Sequence, residues 1–311
     1  MNQNQEIMST RKLTVFTLMV FFAMGGAIMG CGEAPTQAAD DAQANTEVSM
    51  QDVEGSAVAS RKETIKKIFY TIPAPVEMAS LIQSTGADFN GDNLNSVDNV
   101  NNYVTRKQKA LNLGVYGANL SYATMFERSK ESLYYLSAVR QLADQLGASN
   151  VINDDLITRV EANKENKDSL LVIVSDTFWS LNAKFKEDNM EDISALVIAG
   201  GWIEALHLAN SHVAGNDALR TRVAEQKYSL DDLISLFGTY ENQENLADVL
   251  ADLKALKVIF DQVEIKKGKT ETSQDESGTT VIGGANVVSM SDATLQQIIN
   301  TTRDIRSRYI Q

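Results

Sequence analysis

Residues 193–209 read ISALVIAGGWIEALHLA, and residues 110–126 read ALNLGVYGANLSYATMF. Each run is long enough for four or more helical turns, and neither leaves a polar face when wound at 3.6 residues per turn. A helix that is apolar all round is buried on all sides, so these two segments predict the pair of central helices in an all-α, antiparallel multi-helix bundle. Gly114 and Gly117 in one, and Gly200 and Gly201 in the other, weaken a helix by about 1 kcal/mol each against Ala. What they offer in return is a close approach of backbones.

The flanking sequence carries amphipathic stripes. Leu246, Val249, Leu253, Leu256, Phe260 and Val263 are spaced 3, 4, 3, 4 and 3 apart, one seam along a helix. Leu170, Val174, Phe178, Leu181 and Phe185 form a second stripe, and Tyr135, Val139, Leu142 and Leu146 a third, which Gly147 is suited to close. Leu295, Ile298, Thr302, Ile305 and Tyr309 make a fourth. The chain has three prolines, Pro35, Pro73 and Pro75, so nothing after residue 75 carries this helix breaker. The spacing predicts helices near 62–70, 75–86, 100–127, 130–147, 153–164, 168–187, 190–214, 217–227, 229–239, 242–265 and 291–309. Asp168, Asn216, Ser229 and Ser291 stand where N-caps are useful. Gly117 and Gly201 lie 84 residues apart, too far for a helix-hairpin repeat, and this spacing admits a tandem of two four-helix units. Residues 266–278 are polar, and Thr279 to Ile282 and Ala285 to Ser289 flank Gly283-Gly284, which reads as a short β-hairpin or a loop at 279–289.

The start of the chain is of another kind. A polar stretch ending in Arg11-Lys12, an apolar run from Leu13 to Ala27 and small residues before Cys31 have the layout of a secretory signal. Ile28-Met29-Gly30-Cys31 resembles the lipobox of lipoprotein signal peptides, and Cys31 is the only cysteine in the chain. A lone Cys in an exported protein makes no internal disulfide, and thioether lipidation gives it a role. Residues 1–30 are therefore read as a lipoprotein signal peptide, and 31–60 as the lipidated Cys31 with a disordered tether rich in Ala, Gln, Ser, Asp and Glu. The tether reaches about 30 Å as a coil and about 95 Å fully extended. Residues 61–311 are read as a single all-α domain. The expected location is the cell envelope, lipid-anchored, on the periplasmic face or the cell surface.

Without residues 1–31, the 28 basic and 41 acidic side chains fall to 26 and 40, a net charge of −14. Such a surface disfavours nucleic acid. Asp88-Phe89-Asn90-Gly91-Asp92 looks like the opening of a calcium loop, but position six is Asn93 and position twelve Asn99, where Gly and a bidentate Glu belong. A plain interhelical loop is the better reading. Glu204 and His207 share a helix face, which is half of a di-iron pattern, but the other histidine, His212, has Ala209 three residues before it. A buried Glu204–His207 pair that satisfies itself is expected instead. Arg303, Arg306 and Arg308 near the C-terminal end suit the helix dipole. The sequence contains no Gly-x-Ser-x-Gly elbow and no phosphate-binding glycine loop.

The stretches KALNLGVYGANLSY (109–122), AGGWIEAL (199–206) and SDATL (291–295) resemble a group of uncharacterised helical lipoproteins from bacteria of the Bacteroidota type. The likeness runs over most of residues 69–310. It implies an all-helical envelope protein and supplies no activity, cofactor or site residue. The sequence thus points to a non-enzymatic module that binds or scaffolds an envelope protein, without cofactor or metal. The alternative is a small-ligand receptor with a pocket between the central helices, where Tyr116, Tyr122, Trp202, Glu204 and His207 are the candidates.

Overall fold

Packing in a computed structural model begins with the two apolar segments. The structure describes residues 75–240, 244–266, 271–274, 280–283 and 287–311. The expected signal peptide and tether, Cys31 and the helix expected at 62–70 lie outside these residues. Nine α-helices occur among the described residues: α1 (Pro75–Ser84), α2 (Arg106–Met125), α3 (Ser129–Gln145), α4 (Asp154–Ala162), α5 (Lys167–Glu187), α6 (Glu191–Ser211), α7 (Asp217–Gly238), α8 (Ala247–Phe260) and α9 (Asp292–Tyr309). The fold is an all-α bundle with a short strand pairing before its last helix.

The two central helices are α2 and α6. Sixteen consecutive residues of α2, Ala110 to Met125, are buried, and so is nearly every residue of α6 from Ile193 to Asn210. Helix α6 is long and apolar enough to cross a membrane, yet 83% of that stretch is buried within the protein. A Cβ added at Gly114 would stand 2.0 Å from the carbonyl oxygen of Val197, and one at Gly200 would stand 2.0 Å from that of Leu111. Each glycine thus meets the carbonyl three residues before the other glycine, so the crossing is symmetric about a two-fold axis between the helices. A Cβ at Gly117 would stand 2.0 Å from the Phe178 ring of α5.

Three neighbouring pairs, α2–α3, α5–α6 and α7–α8, run antiparallel. Thr124 reaches Ser132 across the α2–α3 turn, Ser194 reaches Asn182 between α6 and α5, and Asp231 reaches Lys257 between α7 and α8. Alternating up and down leaves α2 and α6, four helices apart, parallel. The order repeats. Helix α5 runs back along α2, with Lys167 near Glu127 and Phe178 against Gly117. In the same way α9 runs back along α6, with Arg220 at the start of α7 bonded to Asp292 at the start of α9. Helices α5 and α9 thus hold matching places, each antiparallel to a central helix, in the units α2–α5 and α6–α9.

Local chemistry explains the ends. Thr105 caps α2 with a reciprocal capping box to Gln108, which starts the helix at 106 rather than 100; residues 97–102 form a 3₁₀ turn instead. Asn216 and Ser291 cap α7 and α9 as expected. Asp168 does not cap α5, because Asn166 accepts the Ser169 N–H first. Ser229 starts no helix either. Leu219, Val223, Gln226, Leu230, Leu233 and Phe237 form one unbroken buried stripe, so 217–238 is a single helix.

The strands before α9 pair differently from the expected hairpin. The runs at 280–283 and 287–289 are strands, but they do not pair with each other. β3 (Thr280–Gly283) pairs with β2 (Glu271–Gln274), and β4 (Val287–Ser289) pairs with β1 (Glu264–Lys266), both antiparallel. A two-residue Gly-Gly turn loses to a longer ribbon because β1 and β2 supply a full ladder of backbone partners. The glycine crossing carries the bundle, so Gly200→Ala is expected to lower unfolding free energy by about 3 kcal/mol, since backbone and not a flexible side chain blocks the new methyl. Gly201→Ala, whose Cβ stands 3.3 Å from the Gly114 carbonyl, falls between, and Gly238→Ala, which meets nothing within 4 Å, is neutral. Urea unfolding curves of the three variants check this order.

Candidate functional site

The polar groups of α2 and α6 converge beneath residues 88–105. Glu204 is fully buried on α6. Its Oε2 accepts from Arg306 Nε of α9 at 2.5 Å, and its Oε1 accepts from Arg306 Nη2 at 2.9 Å and from Asn119 Nδ2 at 2.6 Å. Arg306, with an 11% exposed side chain, also donates to the Asn93 carbonyl at 3.1 Å. The two ions form a two-pronged pair, the geometry in which guanidinium and carboxylate bind best. Burial pulls on the Arg306 charge, but the adjacent Glu204 carboxylate outweighs it and holds the pKa above the ordinary arginine value.

The network runs on into the loop. Asn119 Oδ1 accepts from the Asn95 backbone N–H at 3.0 Å, Asn95 Nδ2 donates to the Tyr103 hydroxyl at 2.8 Å, and Asn112 Nδ2 donates to the Tyr309 carbonyl at 2.7 Å. Tyr116 and Tyr135 donate to the carbonyls of Ser96 and Asn95 at 2.8 and 3.0 Å. Burial pushes both phenols far above their ordinary range, so both stay protonated donors. These groups stitch an irregular segment to the helices and give several of its backbone groups partners.

The five sequence candidates meet only in part. Tyr116 and Glu204 join this network. Tyr122 lies toward the far end of α2, where its hydroxyl accepts from the Asn90 N–H at 3.1 Å and meets His212 Nε2 at 2.9 Å. Trp202 is buried, and its Nε1 has no partner among the described residues. His207 is half-buried beside the Asn93 backbone, with Glu204, Arg306 and Arg303 around it.

At the crossing of the central helices the backbones touch at Gly114 and Gly200, and the rings of Tyr103, Tyr116 and Tyr135 pack alongside, which leaves no room for a ligand there. The expected Glu204–His207 pair is replaced by Glu204–Arg306, because a permanent cation on α9 reaches the carboxylate with two donors. Arg306, expected to complement the helix dipole, has Glu204 and Asn93 as its partners. Arg308 pairs with Asp252, and Arg303 lies by Asp304 at the surface. Sequence reasoning missed this network; the signal able to find it is Asn112 and Asn119 in an otherwise apolar helix, since buried amides need partners.

The Asp88–Asp92 segment is an interhelical loop. Asp88 and Asp92 are exposed, and Asn90 Oδ1 is taken by the Asp92 N–H at 3.0 Å, capping the 3₁₀ turn 91–93. Among the described residues no three His, Cys, Asp or Glu side chains cluster to hold a metal. Comparison with protein-family models, with curated proteins and with solved structures finds no match.

Removing Arg306 strands a buried carboxylate. Arg306→Met is expected to cost about 3–5 kcal/mol in urea unfolding, and Arg306→Met with Glu204→Gln less than Arg306→Met alone. The histidines set a pH dependence. Burial lowers both His207 and His212 below the usual 6.5, so the unfolded chain binds protons that the folded chain refuses. Their contribution to stability is complete above pH 6.5 and is lost as pH falls below it. Urea midpoints at descending pH between 7.5 and 5.5 should drop, and the drop should flatten in His207→Gln/His212→Gln.

Proposed function

We propose that this chain is a lipid-anchored cell-envelope protein whose helical domain is a non-enzymatic protein-binding or scaffold module. The anchor reading rests on Ile28-Met29-Gly30-Cys31 behind an apolar run, with Cys31 as the sole cysteine. The resemblance to helical lipoproteins of Bacteroidota-type bacteria points the same way. The scaffold reading rests on one observation above all, the ribbon inserted between α8 and α9. Among the described residues each of its sheets has two strands, so every strand keeps one edge of backbone N–H and C=O groups without a strand partner. Such edges accept an added strand from another protein, with main-chain bonds supplying affinity. The closed interior and the use of both histidines and Glu204 in packing favour this over a receptor with a central pocket.

Two experiments test the two halves. Cys31→Ser should move the protein from the membrane pellet to the soluble fraction; retention in the pellet overturns the lipid anchor. Lys266 and Val287 are paired neighbours across the ribbon, so residues 267–286 are replaceable by a two-residue turn without straining the bundle. Crosslinking in intact envelopes should capture a partner with the full chain and lose it with the shortened one. Identical capture by both chains rules the ribbon out as the docking element.

A further inference from the structure

The helices that follow the two central ones, α3 and α7, differ at their fourth residue, and a cavity lies beside one of them. In the second unit the fourth residue of α7 is Arg220, which spans to the start of α9 and binds Asp292 and the Met290 carbonyl, each at 2.6 Å. The fourth residue of α3 in the first unit is Ser132, and the corresponding space is open. A polar hollow of about 200 Å³ lies there, lined by Glu127, Arg128, Ser132, Lys164, Glu165 and Lys167 among others. A slot of about 30 Å³ continues inward between Leu120, Leu136, Val160, Leu170, Ile173 and Val174.

Two further observations mark the hollow. Ser132 is only 8% exposed and accepts a hydrogen bond from Thr124 at 3.2 Å, while its own proton has no acceptor among the described residues. Glu127, at the rim, has φ +57°, a left-handed backbone that disfavours a side chain. The matching turn of the second unit, between α6 and α7, uses Gly215 at φ +69°. The only other non-glycine residue at positive φ among those described is Asn189, a type that tolerates it. A strained glutamate where glycine would serve puts the carboxylate itself to use. It faces Lys167 at 3.5 Å across the hollow.

We propose that this cleft binds a free aliphatic α-amino acid with a branched side chain. The rim offers both signs of charge, as a zwitterion requires. Glu127 and Glu165 would take the ammonium and Lys164, Lys167 and the Ser132 hydroxyl the carboxylate, the two ends of the ligand replacing the Glu127–Lys167 pair. By the measure in which a water needs about 10–15 Å³, the slot takes two small groups, matching the paired methyls of leucine or valine. The volume of the hollow and slot together suits a ligand of this size. The site is independent of the membrane anchor and of the ribbon.

Isothermal titration of the full chain with L-leucine tests the assignment. Leucine should bind at least about tenfold tighter than glycine, which lacks the branched group. It should also exceed, by a similar factor, 4-methylpentanoate, which lacks the ammonium, and 3-methylbutylamine, which lacks the carboxylate. Ser132→Arg, which copies the second unit, should abolish the heat while the circular dichroism of the bundle is retained. Glu127→Gly should weaken leucine about tenfold while raising the melting temperature, because it relieves the left-handed strain and so cannot act through unfolding. No leucine heat up to about 10 mM, equal binding of 4-methylpentanoate, or full binding by Ser132→Arg each overturn the proposal.

Discussion

The contact between the backbones of α2 and α6 at Gly114 and Gly200 is the constraint on which the rest of the molecule depends. Ordinary helices stay 8–10 Å apart because side chains hold them off. Here the glycines remove that spacer, and the carbonyls of Leu111 and Val197 occupy the space where a methyl would be. The cost in helix propensity, about 1 kcal/mol per glycine, is offset by packing that only this approach permits. It also sets the helices' register, which in turn brings Asn119 of one beside Glu204 of the other.

That register decides the polar chemistry of the interior. A carboxylate fully buried between α2 and α6 is tolerable only with a counter-ion, and Arg306 of α9 supplies it. The same guanidinium holds the Asn93 carbonyl, so the last helix, the central pair and the 88–105 segment are closed by one cluster. Polar groups that sequence reasoning offers to a ligand are in this way consumed by the fold.

Repetition of a four-helix plan gives each unit the same places and leaves them free to differ. In the second, the link between the third and fourth helices grows into a ribbon and Arg220 seals the notch beside it. In the first, residues 163–166 make the link, and a serine leaves the notch open. The two features best placed for function, the ribbon and the cleft, sit at equivalent points of the two units.

The sequence by itself determined the helical class, the two buried helices and most helix ends, because period, proline placement and caps are local properties. The unbroken apolar run 193–209 has one sensible environment, and Asn216 and Ser291 cap the helix that follows each of them. It also contained the 280–283 and 287–289 strands, though not their partners, since β-runs alone do not choose between a tight hairpin and a longer ribbon. Tertiary structure alone decided the rest. Arg306 and Glu204 are 102 residues apart, and nothing local tells which of several arginines reaches a buried carboxylate. Likewise Ser132 becomes informative only beside Arg220, the fourth residue of the helix in the matching place. Pairing across such separations is set by how helices approach, and that follows from packing summed over the whole core.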